Sequence, residues 1–295
     1  MIIDFRFTPP TPEALPRYTA PPKHMVKYGT RVVGGVSPGK GGQAVDGIPV
    51  YDTVREAIAA QPADLAVLFI PGPAVKDAAL EAIAAGIPTI SVLAEGVPHH
   101  DTAEILAQAK RRGARVIGPN SQGMISPGKA KVGGTGGSEP SRMFRPGPVG
   151  IISRSGGMGG EIGSALTRAG IGQSTYVAIG GDLMIGTAFV DLLPLYQADP
   201  ETRAVVLFGE AGTGHEEAAA AYIAEGKFTK PVVALVVGEA IEGLPREMSF
   251  GHTSALIERG LGSPRRKKAL LREAGVRVAE SFNELPALVA EALRR

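Results

Sequence analysis

A histidine in a polar loop and a glutamate at a predicted strand end have residue types suited to nucleophilic chemistry. His252 lies in the segment MSFGHTS, after a predicted strand at 232–237, and Glu210 follows the predicted strand at 204–208. A carboxylate beside an imidazole can fix its tautomer and leave the other ring nitrogen nucleophilic. Position alone also allows a loop histidine with one ring nitrogen bonded to the backbone. His215, beside two glutamates, is interpreted as a surface residue of a first helical turn.

The segment SRSGG at 153–157 has the composition of an anion-binding turn. It follows the predicted strand 149–152 and precedes the predicted helix 159–168. The free N–H groups of a helix start point at one spot, and the helix dipole adds about 0.3–1 kcal/mol for a negative charge. Phosphate or a carboxylate is the predicted guest, although a strand–helix turn without a ligand also uses glycine.

Strands and helices alternate along most of the chain. Short runs rich in β-branched residues predict buried parallel strands, and Ala- and Glu-rich runs of helical period predict helices between them. The predicted strands are 65–70, 89–93, 115–117, 149–152, 174–179, 204–208, 232–237 and 276–279. The predicted helices are 75–85, 102–112, 159–168, 188–197, 216–225, 264–273 and 283–293. This alternation predicts an α/β fold with parallel sheets and helices on both faces.

The chain is long enough for two domains. A Gly- and Pro-rich stretch at 126–148 has few aliphatic residues and no period, which predicts a boundary near residue 145. Within it, VGGTGG at 132–137 is interpreted as a binding loop between strand ends. Six prolines between Pro9 and Pro22 exclude a helix or a central strand there. The first strand therefore leads into prolines, where a nucleotide-binding sheet would have a glycine-rich turn.

Composition excludes several classes of protein. The 295 residues are 44% hydrophobic with a net charge of +2, so the chain is neither largely disordered nor a dedicated nucleic-acid binder. The lack of cysteine excludes disulfides, thiolate catalysis and iron–sulfur ligation. No apolar run approaches the roughly 18 residues of a membrane span, and the N-terminal apolar patch is too short for a signal peptide. We expect a soluble cytoplasmic protein without a membrane partner.

Glycine-rich or polar turns follow successive predicted strands, and ligands of open parallel sheets collect at such carboxyl ends. The turns are SPGKGG at 37–42, PGP at 71–73, AEG at 94–96, GPN at 118–120, SRSGG at 153–157, GGD at 180–182, GEAGTG at 209–214 and GH at 251–252. One such turn is weak evidence, but eight at successive strand ends predict ligand-binding edges.

Several of these turns belong to longer segments that together are highly specific, among them YGTRVVGGVSPGKGG, VIGPNSQGMISPGK, GIISRSGG, GEAGTGHEE and FGHTSALI. From about Tyr28 to its C-terminus the sequence resembles the succinyl-CoA synthetase α-subunit family, and also the matching part of ATP-citrate lyase and citryl-CoA synthetase. The resemblance implies a Rossmann-like CoA-binding domain over 1–145, with 1–27 atypical, followed by a flavodoxin-like ligase domain over 146–295. Both domains are expected to contain parallel sheets.

The resemblance also assigns roles to residues. His252 matches the family's phosphorylated histidine, and Glu210 matches the glutamate that orients it. The phosphate-holding helix start matches Ser153, Ser155, Gly156 and Gly157. The positions that contact CoA match Pro38, Lys40, Ile70, Pro71, Leu93, Ala94, Glu95 and Asn120. A separate β subunit with an ATP-grasp fold would bring ATP or GTP with Mg²⁺ and complete the site.

Three departures from the family pattern bear on the substrates. No Thr-Gly-x-x-Gly turn precedes Tyr28, which predicts weaker CoA binding. Gly160 stands where succinyl-CoA synthetases carry a tyrosine, so volume opens beside SRSGG. Thr135 and Arg154 match residues that hold the organic acid in the citrate enzymes.

The combined prediction is the α-type subunit of an ATP- or GTP-dependent carboxylic acid–CoA ligase that works through a phosphohistidine. Its substrate is expected to be a di- or tricarboxylate, with succinate as the family default and malate or citrate favoured by the departures. The alternative is a non-catalytic or regulatory CoA-binding-domain protein that has lost ligase activity. The missing glycine turn favours the alternative, whereas the intact His252, Glu210 and SRSGG set opposes it.

Overall fold

Two seven-stranded sheets organise the chain in the computed structural model, which describes residues 2–4, 22–240 and 262–294, the first of these as backbone alone. The first sheet has the strand order β3-β4-β2-β1-β5-β6-β7. Its strands are β1 (Ile2–Asp4), β2 (Gly34–Val36), β3 (Ala44–Val45), β4 (Ile48–Tyr51), β5 (Leu65–Leu68), β6 (Thr89–Val92) and β7 (Arg115–Ile117). Its helices are α1 (22–27), α2 (Val54–Ala60), α3 (Val75–Ala84) and α4 (His99–Arg112).

The second sheet has the order β14-β13-β12-β10-β11-β8-β9. Its strands are β8 (Gly123–Ser126), β9 (Ala130–Gly133), β10 (Pro146–Ser153), β11 (Gln173–Ala178), β12 (Ala204–Gly209), β13 (Val232–Val236) and β14 (Arg277–Ala279). Its helices are α5 (Gly156–Arg168), α6 (Phe189–Ala198), α7 (His215–Ala224), α8 (Pro264–Glu273) and α9 (Leu285–Leu293).

Parallel pairing dominates both sheets, which confirms the predicted α/β class. Antiparallel pairs occur only towards the edges among the described strands, where β3 pairs with β4, β8 with β11 and β9 with β8. Every residue of β12 and β13 is buried, as expected for central strands covered on both faces. Two separate apolar clusters cover the two faces of the second sheet and account for its continuous apolar strands.

The Gly- and Pro-rich stretch at 126–148 contains β9 and the start of β10. Strands β8 and β9 were not among the predicted strands, because they carry glycine, serine and lysine and their hairpin is fixed by the pairing of β8 with β11. The predicted boundary near residue 145 stays a prediction. The two sheets themselves divide earlier, between β7 and β8.

The N-terminal segment contains regular structure before and after its proline-rich run. Strand β1 lies in the middle of the first sheet, paired in parallel with β2 and β5. Residues 22–27 are helical, with Pro22 at the first described position, where the missing N–H costs little. Residues 5–21, which include all of the six prolines except Pro22, lie outside the described residues, so the exclusion of a helix or central strand there stays a prediction. Within the described part of the chain, no helix has the length and apolarity needed to cross a membrane.

Candidate active site at the strand ends

The residues predicted to contact CoA lie at one edge of the first sheet. Strands β2, β5, β6 and β7 run parallel, so the turns after them share the carboxyl edge. Pro38 and Lys40 are exposed in the turn after β2, and Ile70 is buried after β5. Pro71, Leu93, Ala94 and Asn120 are partly buried in the turns after β5, β6 and β7, whereas Glu95 is exposed.

Backbone contacts hold three of these turns together. A Cβ on Gly72 would lie 2.5 Å from the carbonyl oxygen of Gly96, so only glycine lets the turn after β5 touch the turn after β6. The backbone N–H of Asn120 donates to the carbonyl oxygen of Ala94 at 2.7 Å, which joins the turn after β7. The structure therefore brings together the predicted positions at 70–71, 93–95 and 120.

Asn120 also connects this edge to the second sheet. Its side-chain amide donates to Oδ1 of Asp182 at 3.1 Å, and its carbonyl oxygen accepts from the N–H of Gly181 at 3.2 Å. Burial raises the pKa of Asp182, although the Asn120 hydrogen bond and the Arg154 charge oppose the rise. The sequence flagged the turn at 180–182, but nothing in it singled out Asp182 as the residue that links the two edges.

The SRSGG turn forms the start of α5. Ser153 is fully buried and its hydroxyl donates to the carbonyl oxygen of Ser155 at 2.6 Å. Ser155 is the N-cap, and its side-chain oxygen accepts from the N–H of Met158 at 3.3 Å. Gly156 packs against Gln122, whereas a Cβ on Gly157 would meet nothing within 4 Å. The open side of the helix start is therefore at Gly157, where an anion can approach the backbone.

Glu210 lies next to this helix start, at the end of β12. Its side chain is 12% exposed, and one carboxylate oxygen is 3.4 Å from Nε of the fully buried Arg154. Nη2 of Arg154 also donates to the carbonyl oxygen of Asp182 at 3.2 Å. Arg154, expected to clamp the substrate, thus connects Glu210 with Asp182. His252 lies outside the described residues.

Thr135 is buried beside the same helix start. Its hydroxyl donates to the carbonyl oxygen of Gln122 at 3.1 Å, and Gln122 packs against Gly156. The ammonium of Lys131 donates to the carbonyl oxygen of Gly137 at 2.6 Å and so ties down the loop that carries Thr135. Burial lowers the pKa of Lys131 to about 8.

Gly160 is buried, yet it has room beside it. A Cβ at Gly160 would meet only the sulfur of Met143 at 3.8 Å, an ordinary contact. At the preceding Gly159, by contrast, a Cβ would lie within 3.0 Å of the Tyr176 ring. A first side-chain atom at Gly160 therefore has room, while the opening of a substrate pocket at this position stays a prediction.

His215 is less exposed than its position in a first helical turn suggested. Burial, together with the charges of Arg154 and Lys267, lowers the pKa of His215 to about 4, so its imidazole is neutral at pH 7. The expectation of a surface residue was wrong because α7 begins at His215, immediately after the turn at 209–214 that contains Glu210. Sequence reasoning also passed over Glu216 and Lys267, which are fully buried close to that turn.

Comparison with known proteins matches both halves of the chain. Residues 18–96 match the family described as CoA binding domain, and residues 146–292 match the succinyl-CoA ligase like flavodoxin domain. The chain is 46% identical over 271 residues to subunit alpha 2 of an ADP-forming succinate–CoA ligase of Archaeoglobus fulgidus, which covers 92% of this chain and 91% of the relative.

Two further relatives are named for other acids. An ADP-forming sulfoacetate–CoA ligase subunit of Bilophila wadsworthia is 42% identical over 270 residues, covering 90% of each chain. The malate–CoA ligase subunit alpha of Methylorubrum extorquens is 39% identical over 277 residues, covering 92% of this chain and 91% of the relative. Among solved structures, ATP citrate lyase of Methanosaeta concilii in complex with (3S)-citryl-CoA has a TM-score of 0.87 at 27% identity. That alignment covers 99% of this chain but 49% of the other, so this chain spans about half its length.

The chain has a CoA-binding domain followed by a flavodoxin-like ligase domain, and their two sheets meet at their carboxyl edges. These features define an acid–thiol ligase subunit. The relatives that match nearly the whole chain narrow this class further. The chain belongs to the succinyl-CoA ligase α-subunit family.

Proposed function

We propose that this chain is the α-type subunit of an ADP- or GDP-forming carboxylic acid–CoA ligase in which His252 carries the phosphoryl group. The observation that carries the proposal is the position of Arg154. Its guanidinium lies 3.4 Å from the Glu210 carboxylate, and its backbone lies between Ser153 and Ser155 at the start of α5. An orienting carboxylate and an anion-binding helix start are thereby adjacent, which is the arrangement that phosphorylation of an imidazole requires.

Each of these residues has a chemical role in the proposal. Glu210 accepts a hydrogen bond from the His252 imidazole, leaves the other ring nitrogen free to take the phosphoryl group, and stabilises the cationic phosphohistidine. The N–H groups at the start of α5, with Ser155 as the cap, neutralise phosphoryl charge without a mobile counter-ion. The phosphoryl group then passes to the acid carboxylate, and displacement of phosphate by the CoA thiol gives the thioester.

CoA fits the carboxyl edge of the first sheet. Glycines at 72 and 96 bring two turns into backbone contact, and exposed Lys40 offers a cation at the neighbouring turn. Pro38, Ile70, Pro71, Leu93, Ala94, Glu95 and Asn120 complete the proposed set. The relatives are named as α subunits, which supports a β partner. We assign to that partner an ATP-grasp fold, the nucleotide and Mg²⁺.

Phosphorylation is the direct test. The complex of this chain with its β-type partner, incubated with γ-labelled ATP, is expected to acquire an acid-labile, base-stable label on this chain. His252→Ala should abolish the label because it removes the nucleophile, whereas His215→Ala should retain it. A label that survives in His252→Ala, or is lost with His215→Ala, would contradict the assignment. An unlabelled complex with a competent partner would instead favour a non-catalytic CoA-binding protein.

The substrate acid is proposed to be larger than succinate or hydroxylated, with malate and citrate as the candidates. The support is the space beside Gly160 in α5, together with Thr135, whose hydroxyl donates to the carbonyl oxygen of Gln122, the residue against which Gly156 of the same helix packs. A small acid would leave part of such a pocket unfilled. Relatives named for succinate, sulfoacetate and malate set the range of acids to compare.

We expect malate or citrate to have a higher kcat/KM than succinate in the complex. Gly160→Tyr should fill the space and shift the preference towards succinate by at least about tenfold, since even one methylene in a pocket contributes about 1–3 kcal/mol. Gly160→Ala is the matched control, because its Cβ makes only an ordinary contact with Met143. Steady-state kinetics with succinate, malate and citrate measures this preference as a ratio of kcat/KM values. Succinate leading in the wild type, with no change in Gly160→Tyr, would refute the enlarged pocket.

A further inference from the structure

We infer that the buried ion pair of Lys267 and Glu216 is a positioning device that fixes the backbone of Glu210 for phosphoryl transfer, an inference that rests on the proposed role of Glu210. Lys267 belongs to α8 and Glu216 to the first turn of α7. Their side chains are 0% and 1% exposed, and they form a salt bridge. Neither residue is part of the site assigned above.

The pair holds the Glu210 turn through both backbone polar groups of Glu210, which belong to the two peptide units on either side of its Cα. Nζ of Lys267 donates to the carbonyl oxygen of Glu210 at 2.8 Å, and also to the carbonyl oxygen of Gly212 and to Oε2 of Glu216. The other oxygen of Glu216 accepts from the backbone N–H of Glu210 at 3.1 Å. One ion pair therefore satisfies both backbone polar groups of the proposed orienting residue.

Local sequence features make room for this arrangement. A Cβ on Gly209 would lie 2.5 Å from Oε1 of Glu216, so a glycine is required for that carboxylate to reach the N–H of Glu210. The three donors of the Lys267 ammonium all have partners, two of them carbonyl oxygens of the turn. Stability alone does not explain the pair, because apolar side chains of similar volume often stabilise a core equally well.

The consequence of these contacts is a fixed direction for the Glu210 side chain. The ion pair fixes the backbone of Glu210 through hydrogen bonds, and the guanidinium of Arg154 lies 3.4 Å from its carboxylate. A catalytic group displaced by about 1 Å can lose roughly 10²-fold in rate. Removing the pair should therefore affect the phosphoryl-transfer step and leave CoA binding at the first sheet unchanged.

The experiment compares two lysines of the same helix in the complex with the β-type partner. Lys267→Met removes the donors to the Glu210 turn. Lys268→Met is the matched control, because Lys268 is also largely buried but pairs with Glu239 and Glu280. Lys267→Met is expected to lower kcat for ADP formation and the labelling rate by about 10²-fold, with the KM for CoA changed by less than about twofold. Lys268→Met should keep kcat within about twofold of the wild type.

Two additional measurements keep the inference testable. Glu216→Gln retains the shape of the side chain and serves if Lys267→Met does not fold; it should lower kcat in the same direction, with the KM for CoA unchanged. Hydrogen exchange of a peptide spanning 209–212 should show lost protection in Lys267→Met and Glu216→Gln but not in Lys268→Met. Wild-type kcat and protection in the folded variants, or equal losses in Lys268→Met, would overturn the inference.

The same measurements separate this inference from the proposed function. If His252→Ala loses the label while Lys267→Met keeps wild-type kcat, the positioning role alone fails. If the wild type places no label on His252, the proposed function fails. In that case, exchange at 209–212 still reports whether the ion pair fixes the Glu210 turn.

Discussion

Replacing Arg154 with methionine is expected to destabilise the second sheet and to reduce ligase activity by about 10²- to 10³-fold, the range seen when one preorganised donor is removed from an active site. Arg154 is fully buried, with Nε 3.4 Å from Glu210 and Nη2 donating to the carbonyl oxygen of Asp182. The substitution removes the positive neighbour of a mostly buried carboxylate. Breaking a buried pair in this way typically costs about 3–5 kcal/mol, which a thermal melt of the complex will detect.

A double-mutant cycle with Glu210→Gln gives the coupling between the two residues. The double variant should recover part of the stability lost in Arg154→Met, because the uncompensated carboxylate is gone. Arg168→Met is the control, since Arg168 is exposed at the end of α5 and donates to the hydroxyl of Ser164 in the same helix. An unchanged melting temperature in Arg154→Met, or additive losses in the cycle, would show that the Arg154–Glu210 pair does not hold the end of β12 against the start of α5.

Gly180→Ala is expected to be far more damaging than Gly170→Ala, although both glycines have positive φ. Gly180 has a φ of 108°, and a Cβ there would lie within 3.0 Å of the carbonyl oxygen of Pro119. Gly170 has a φ of 76° with nothing within 4 Å of its Cβ position. The left-handed conformation costs alanine about 1–2 kcal/mol at either site. At Gly180 alone, the clash also pushes apart the two turns that the Asn120–Asp182 hydrogen bond joins.

Thermal melts and CoA calorimetry measure the difference. Gly170→Ala should lower the melting temperature slightly and keep CoA affinity. Gly180→Ala should lower it by at least twice as much and weaken CoA binding by about tenfold, which corresponds to 1.4 kcal/mol lost at the shared edge. Equal effects of the two substitutions would mean that the junction tolerates the displacement.

Sequence patterns predicted the central strands and the long helices of the fold. Strands such as β12 and β13 are continuous apolar runs, and α8 spans the predicted 264–273 because Ser263 caps it and Gly275 follows its end. The hairpin β8–β9 was missed because its residues show no alternation, and its existence depends on pairing with β11. A local sequence pattern does not predict which distant segments will pair.

The candidate site was predictable to a similar extent. The turns after parallel strands of one sheet share an edge, so the positions at 70–71, 93–95 and 120 could be grouped from sequence, and 153–157 could be placed at the corresponding edge of the second sheet. Glu216 and Lys267 could not, because charged residues on helices are ordinarily solvated and only tertiary packing buries these two. The surface interpretation of His215 failed for the same reason.

The hairpin β8–β9 determines where this chain can be divided for expression in halves. A cut at residue 145 would leave the hairpin on the N-terminal fragment and strip β11 of its antiparallel neighbour. The C-terminal fragment would then present an unpaired edge strand, a common cause of aggregation. A cut within 118–122 keeps the hairpin with its own sheet but severs the segment whose Ser121 hydroxyl donates to the carbonyl oxygen of Ala178 at 2.6 Å. Coexpression of the two fragments is thus a better route to soluble material than either fragment alone.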